Sequence, residues 1–115
     1  MRAFAVAVAT PEGPAWAEEV ESLVLPGVGG FFGIWAGHAP LIAGLAAGVL
    51  KAERGGRARY FAVGDGMVEA GGNRVAILTE AAIPAADAVD AAFKVEELRK
   101  ERTRPPLVVE RFVEG

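Results

Sequence analysis

The amino-acid sequence predicts a mainly β protein, an antiparallel β-sandwich or barrel followed by one C-terminal helix. Strand patterns recur roughly every eight to twelve residues up to Thr79, and turn-forming residues separate them. This spacing is typical of antiparallel sandwiches and barrels. After Glu80 the chain becomes rich in Ala, Glu, Lys, Arg and Leu, which favours a helix. A chain of 115 residues forms one domain that can bury a core without disulfides.

The strand predictions rest on the alternation of larger apolar with small or polar side chains and on the turn-forming residues between the strands. Phe4, Val6 and Val8 alternate with alanines, which predicts a first strand with one apolar face. Further strands are predicted over residues 19–25, 31–35, 49–53, 57–63, 67–70 and 74–79, the last being the final clear strand. Turns are predicted at residues 10–14, 26–27, 36–40, 55–56, 64–66 and 71–73, where Gly, Pro, Asn and Asp concentrate.

The stretch from Leu23 to Leu50 carries no charged residue and is long enough to suggest a membrane helix. Pro26 and Pro40 each remove a backbone donor, and glycines recur through the stretch. Each glycine destabilises a helix by about 1 kcal/mol relative to alanine. We therefore interpret the stretch as short strands and tight turns.

The first ten residues superficially resemble a secretory signal, because Arg2 precedes an apolar run of small residues. The run alternates with period two and ends at Pro11, so we interpret it as a strand instead.

A helix is predicted from Ala85 to Arg102, with Pro84 in its first turn and one apolar stripe at three- and four-residue spacing. Pro105 and Pro106 would end it, and residues 107–115 are too few for a second stable helix. We expect a sandwich domain over residues 1–83 and a short helical segment over residues 84–115.

Composition limits the function classes. The chain has a net charge of −3 and no cysteine, so thiol catalysis and thiolate metal sites are excluded. The sequence contains no basic run, which argues against a nucleic-acid surface. We predict no metal site and no cofactor, because His38, Asp65 and Glu69 lack the number and spacing of a known metal site.

The sequence contains few candidate catalytic residues. His38 is the only histidine and Ser22 the only serine, and a turn or interface role for His38 is far more common than a catalytic one. The uncharged, aromatic stretch from Phe31 to Leu41 is instead a candidate binding patch, because monomers seldom expose large apolar areas.

Several motifs together resemble the epsilon subunit of F-type ATP synthases. They are Thr10-Pro11-Glu12-Gly13, residues 19–27, Gly33-Ile34, Gly37-His38-Ala39-Pro40-Leu41, Gly48-Val49-Leu50, Tyr60-Phe61-Ala62-Val63, Met67-Val68-Glu69-Ala70 and residues 73–78. The resemblance covers about the first 85 residues. It implies a sandwich of about ten strands.

The resemblance also implies a non-catalytic central-stalk subunit that couples rotor rotation to the catalytic head. The gamma subunit would bind one sandwich face, and the rotor ring of c subunits would contact the lower loops. The catalytic head is a further candidate partner. The complex would place the chain peripherally at the cytoplasmic face of a bacterial plasma membrane. The implied partner-binding residues are Phe31, Gly33, Gly37, His38, Ala39, Pro40 and Leu41.

The sequence departs from the family at three places. Phe31 replaces a usual acidic residue, which puts a charge pair with the rotor ring in doubt, and Ala36 replaces a usual proline. The second C-terminal helix, which can inhibit the catalytic head in typical bacterial members, does not fit after Pro106, and its ATP-binding motif is not visible. We therefore expect C-terminal inhibition to be weak or absent.

Two other functions stay open at this point. One is a stand-alone β-sandwich adaptor that binds another protein through the same apolar loops. The other is a small hydrolase or lyase that uses His38 and Asp65.

Overall fold

A computed structural model of the chain describes residues 2–102, which form ten strands and one helix. The elements are β1 (Phe4–Thr10), β2 (Gly13–Val20), β3 (Ser22–Gly27), β4 (Gly30–Trp35), β5 (Leu41–Leu45), β6 (Gly48–Arg54), β7 (Arg57–Val63), β8 (Gly66–Gly71), β9 (Arg74–Thr79), β10 (Ala82–Ala85) and α1 (Ala88–Arg102). The expected fold of about ten strands and one helix is confirmed. The predictions for Pro105, Pro106 and residues 107–115 lie outside the described residues.

The strands form two layers. Sheet I has the spatial order β5, β8, β9, β1 and β2, and sheet II has the order β4, β3, β6, β7 and β10. One residue pair, Gly27 with Leu45, joins the two sheets where β3 meets β5. Within residues 2–102 the strands pair antiparallel except for β1 and β9, which are parallel.

Alternating residues of both sheets fill the space between the layers. The buried members of this core are Phe4, Val6, Val8, Val20, Leu23, Leu25, Ile34, Leu45, Leu50, Ala52, Phe61, Val63, Val68, Ala70, Val75 and Ile77. Strand β9 illustrates the pattern, because Val75 and Ile77 are buried whereas Ala76 and Leu78 are exposed. The period of two sends one set of side chains into the core and leaves the other set on the outer face.

Helix α1 covers part of the outer face of sheet II. Ala91 and Val95 are buried in this position, and Val95 packs with Ala47 and Ala62 in a second small apolar cluster. The Arg99 guanidinium donates to the Ala47 carbonyl at 3.2 Å and ties the last helical turns to the sandwich.

The strand registers define two ends of the sandwich. One end, here called the His38 end, carries the turn of residues 36–40, the β6–β7 and β8–β9 hairpin tips and the start of β1. The opposite end, here called the Asp65 end, carries the β1–β2, β3–β4 and β7–β8 turns.

Three sequence predictions are wrong. The strand predicted over residues 19–25 is β3, whereas β2 was not predicted because its first residues, Gly13 and Pro14, were expected to lie in a turn. Pro14 is accommodated in β2 because this is an edge strand with a register shift between Val8 and Ala9 of its partner. Strand β5 (Leu41–Leu45) was not predicted, since its alanine and glycine give a weak β signal.

The third error concerns the start of the helix. Residues 82–85 form the edge strand β10, which pairs with β7, and Pro84 lies in that strand and not in a helical turn. An edge strand accepts proline because it pairs on one side only. The helix therefore begins at Ala88, and the predicted domain boundary between residues 83 and 84 falls inside β10.

Candidate functional site

The predicted binding stretch spans the length of β4. Phe31 pairs with Pro26 near one end of the strand, and Trp35 pairs with Ser22 at the other end. These two aromatic side chains are 69% and 55% exposed. Trp35 lies four positions after Phe31 along the strand, a rise of ~13 Å at ~3.3 Å per residue, so the structure does not gather the predicted residues at one point.

Gly33 lies between the two exposed aromatic residues, and the Trp35 indole covers it. A Cβ atom built on Gly33 would lie 2.6 Å from Cη2 of Trp35. Glycine is therefore needed here for close approach and not for backbone freedom. Because the indole folds back along β4, Trp35 does not project beyond the His38 end.

The turn of residues 36–40 holds His38 inward. Gly37 adopts φ 81°, a value that glycine reaches easily, and the His38 amide donates to the Trp35 carbonyl at 3.2 Å. The His38 ring meets the edge of the Phe4 ring at 5.6 Å between centroids. Its Nδ1 lies 3.4 Å from the Ala39 carbonyl oxygen. His38 thus closes one end of the core.

The geometry gives no support to catalysis by His38 with Asp65. Asp65 lies in the β7–β8 turn at the opposite end of the sandwich, where its Oδ1 accepts a hydrogen bond from the Ala47 amide at 2.9 Å. Within residues 2–102, Nε2 of His38 is buried and has no hydrogen-bond partner, so no base or orienting group contacts it. The same part of the chain contains no group of three or more His, Asp or Glu placed to hold a metal ion.

The outer face of sheet I is a second surface, which the sequence analysis did not single out. Ile42, Met67 and Leu78 are 68%, 53% and 61% exposed on adjacent strands β5, β8 and β9. Met67 and Leu78 are register partners across β8 and β9. Large neighbouring apolar side chains in water are unusual for a monomer and indicate a binding surface.

Short side chains extend this face across β9, β1 and β2. Ala7 pairs with Ala17 on one side and with Ala76 on the other, and together with Ala5 they line a shallow depression of ≈ 570 Å³. Glu19, Glu69 and Arg74 also line this depression. We call the surface formed by Ile42, Met67, Leu78 and these alanines the sheet I face. One sequence signal was available for it, because the alanines of β1 alternate with the core residues.

Helix α1 has a well-capped start. The Asp90 amide donates to Oδ1 of Asp87 at 2.8 Å, and the Ala86 amide donates to Oδ2 of Asp90 at 2.9 Å. The Ala86 hydrogen bond, helped by the ammonium of Lys94 at 3.0 Å, holds the pKa of Asp90 below its ordinary value of 3.8. Such hydrogen bonds satisfy amides that the first helical turn leaves unpaired.

The outward face of the helix exposes two apolar side chains, Val89 and Phe93, at 65% and 70%. They lie opposite the buried stripe of Ala91 and Val95. No helix within residues 2–102 combines the length and apolar character needed to cross a bilayer.

Comparisons with known proteins agree on one family. A family model described as "ATP synthase, Delta/Epsilon chain, beta-sandwich domain" matches residues 3–85. The sequence is 34% identical over 113 residues to an ATP synthase epsilon chain of Helicobacter pylori, with 95% of this chain and 92% of that relative aligned.

A second relative is more similar over a shorter range. An ATP synthase epsilon chain of Leptospira borgpetersenii is 45% identical over 75 residues, which cover 65% of this chain and 59% of that relative's length. A solved structure titled "Cryo-EM structure of Euglena gracilis mitochondrial ATP synthase, OSCP/F1/c-ring in rotational state 1" contains a chain with a TM-score of 0.68 and 24% identity, covering 97% of this chain and 73% of that one. At this identity the structural likeness speaks for the fold alone.

Proposed function

The chain belongs to the ATP synthase epsilon chain family, and we propose that it acts as a non-catalytic central-stalk subunit that couples the rotor ring to the catalytic head through gamma. In this proposal it sits peripherally at the cytoplasmic face of a bacterial plasma membrane and supplies no catalytic residue. The two ends and the two outer faces of the sandwich then have separate tasks. A sandwich packed at interior density is stiff enough to transmit torque between them.

The sheet I face is the proposed gamma-binding surface, and its exposed apolar residues are the observation that carries the function. Ile42, Met67 and Leu78 supply large side chains, and the alanines beside them supply a flat floor that a partner can approach closely. Apolar anchors surrounded by polar groups are the usual arrangement of a stable interface. Glu69 and Arg74 at the border of the floor would orient the partner.

The His38 end is the proposed contact with the rotor ring. Gly37, Ala39 and Pro40 are exposed there and would meet the ring directly, whereas His38 packs on Phe4 and would hold the shape of the turn. Gly33 and Leu41 support this role from within β4 and β5.

Phe31 lies near the other end of β4. If it binds a partner, that contact is separate from the contact made by the turn of residues 36–40.

Co-purification tests the proposal. The tagged chain should retain the gamma subunit of the same source and, in detergent, a gamma–rotor ring assembly. Retention of neither would overturn the central-stalk function. A variant with Phe93→Arg on the opposite side of the molecule provides the control, because α1 separates this side chain from the sheet I face.

We also propose that inhibition through the C-terminal segment is weak or absent. The support is the pair Pro105-Pro106, because neither proline can donate a backbone hydrogen bond and the residue before a proline is disfavoured in helical geometry. Truncation after Ala86 removes α1 and the remaining tail but leaves the ten strands. We expect the ATPase activity of the assembled soluble complex to change by less than about twofold. A several-fold rise on truncation would show that this segment inhibits.

A further inference from the structure

A column of three alanines follows β1 on the outer face of sheet I. Ala5, Ala7 and Ala9 alternate with the core residues of this strand, so their methyl groups lie on the outer face. Ala5 and Ala7 line the shallow depression of ≈ 570 Å³, and Ala9 lines a second one of ≈ 580 Å³. The two depressions follow one another along β1 and form one groove, here called the β1 groove.

Strand β9 forms one wall of the β1 groove. In the parallel register with β1, the large side chains of Arg74 and Leu78 stand beside the two ends of the alanine column, and Ala76 stands beside its middle. On the β2 side, Ala17 lies beside the middle and Glu19 beside the same end as Arg74. Opposite charges therefore flank one end of the groove, and its middle is apolar.

The floor of the groove offers no hydrogen-bonding group to a partner. Strand β1 is paired along both sides, antiparallel with β2 and parallel with β9, so its backbone amides and carbonyls are engaged within the sheet. Above them lie the methyl groups of the three alanines. A partner backbone on this floor must satisfy its own amides and carbonyls, because burying an unpaired polar group is costly.

An α-helix meets this condition, since its backbone groups bond within the helix. We propose that the β1 groove receives an α-helix of gamma that lies along β1. This inference rests on the proposed function, which assigns the sheet I face to gamma, and it adds the form of the partner element. From Ala5 to Ala9 the strand rises ~13 Å at ~3.3 Å per residue, a distance that roughly nine helical residues span at ~1.5 Å each.

Sheet II shows such an arrangement within this chain. Helix α1 lies over Ala62 of that sheet, which is completely buried. The stripe that α1 turns toward the sheet consists of Ala91, Val95 and Leu98, at three- and four-residue spacing. Short and medium apolar side chains let a helix pack closely on a sheet. The gamma helix should present a similar stripe to the β1 groove.

A gamma strand added to the free edge of sheet I is the other way to extend this surface, but β2 does not favour it. Pro14 lies in β2 and cannot donate a backbone hydrogen bond. The Glu19 carbonyl already accepts a hydrogen bond from the Arg54 guanidinium at 3.2 Å. Proline and charged side chains are usual means by which edge strands avoid further pairing.

Photocrosslinking tests the inference. The chain has no cysteine, so Ala5→Cys and Ala9→Cys each provide a single attachment point for a short, thiol-specific photoreactive label. Each labelled chain is bound to purified gamma and irradiated, and mass spectrometry identifies the gamma residues that react. Both labels should react within one continuous gamma segment, at sites roughly nine residues apart, as expected for a helix.

Two other crosslinking results would overturn the inference. Sites about four residues apart would show that gamma contributes an extended strand, because a strand rises ~3.3 Å per residue. Sites in separate gamma segments would show that loops cover the groove.

A bulky side chain in the floor provides a second measurement. Ala7→Leu should weaken gamma binding on the order of tenfold or more, because overpacking a close contact is destabilising. Ala92→Leu is the matched control, since Ala92 is exposed on α1, which covers the other sheet, and this variant should bind gamma like wild type. Unchanged binding by Ala7→Leu, or an equal loss in Ala92→Leu, would contradict the proposed contact.

Gamma binding by the wild-type chain separates this inference from the proposed function. A chain that does not bind gamma would overturn the proposed function and the helix contact with it. A chain that binds gamma but crosslinks with the spacing of a strand or of loops would overturn only the helix along β1.

Discussion

The outer faces of the two sheets are built from similar short side chains, but α1 covers only one of them. On sheet II, Ala62 is completely buried beneath the helix, with Val95 packed in the same cluster. On sheet I, Ala7 and Ala76 are exposed beside Leu78. The same kind of surface is therefore interior in one place and bare in the other.

This difference shows where the partner of each face comes from. The chain provides the cover for sheet II itself, through a helix whose buried stripe is mostly alanine and valine. The cover for sheet I is absent from residues 2–102. Alanine suits both cases, because a short side chain lets a second layer approach the sheet closely and costs almost no side-chain entropy when it is buried.

The first prediction applies one substitution to both faces. Ala62→Glu would bury an uncompensated carboxylate under α1 and should cost roughly 3–5 kcal/mol of unfolding free energy, or else detach the helix. Ala7→Glu lies between Ala17 and Ala76 in water and should stay within about 1 kcal/mol of wild type, the span of strand propensities. Urea denaturation measures both values, and hydrogen exchange of the α1 amides reveals whether the helix has detached.

One outcome of this experiment would contradict the contrast between the covered face of sheet II and the bare face of sheet I. If Ala7→Glu destabilises the isolated chain as much as Ala62→Glu does, the sheet I face is covered by a part of this chain and is not free for a partner.

The second prediction concerns binding through the bare face. Leu78→Arg should leave the stability of the isolated chain within about 0.5 kcal/mol, since surface substitutions usually have small effects. It should weaken gamma binding by about thirtyfold or more, because interface hot spots contribute ~2 kcal/mol or more each. Titration calorimetry with purified gamma measures the affinity.

Phe93→Arg is the control for this binding experiment. Its side chain is 70% exposed on the helix, so it tests whether any exposed apolar residue behaves in the same way. An equal loss of gamma affinity in both variants would assign gamma to the helix side and would remove the distinction between the two faces.

The sequence was sufficient to predict most of the strands, the hairpin turns and the presence of one C-terminal helix. Turn chemistry located the hairpin tips, where Gly55 and Gly56 have φ of 59° and 78°, and where Gly72 and Asn73 have φ of 59° and 61°. These conformations favour glycine and asparagine, so the residues themselves mark the tips. The errors fell on edge strands, where proline and small residues are tolerated and the strand signal is correspondingly weak.

The binding surface was harder to predict because it is assembled from distant segments. The predicted residues 31–41 are continuous in sequence, but β4 spreads them over its full length. The sheet I face instead combines β5, β8, β9, β1 and β2. Its register depends on the parallel pairing of β1 with β9, and no local pattern in the sequence determines which strands will be neighbours across such a crossover.

The third and smallest expected effect concerns the start of the covering helix. The Ala86 amide and Lys94 stabilise the charged form of Asp90, so its pKa in the folded chain lies below the ordinary value of 3.8. A lowered carboxylate pKa adds stability that is fully present above the ordinary value and is lost as pH falls through the lower, folded value. Docking of α1 in the wild-type chain should therefore weaken as pH falls below about 4.

Asp90→Asn removes this pH-dependent contribution. Hydrogen exchange of the α1 amides should be faster in Asp90→Asn than in wild type at pH 7, and after correction for intrinsic exchange the two chains should converge as pH falls through the lowered pKa of Asp90. Glu97→Gln removes a charge from the same helix without touching its first turn, and its difference from wild type should not follow this profile. A constant difference between Asp90→Asn and wild type across this range would show that the Asp90 charge does not stabilise the start of the helix. The covered face would then depend on the packing of Ala91 and Val95 alone.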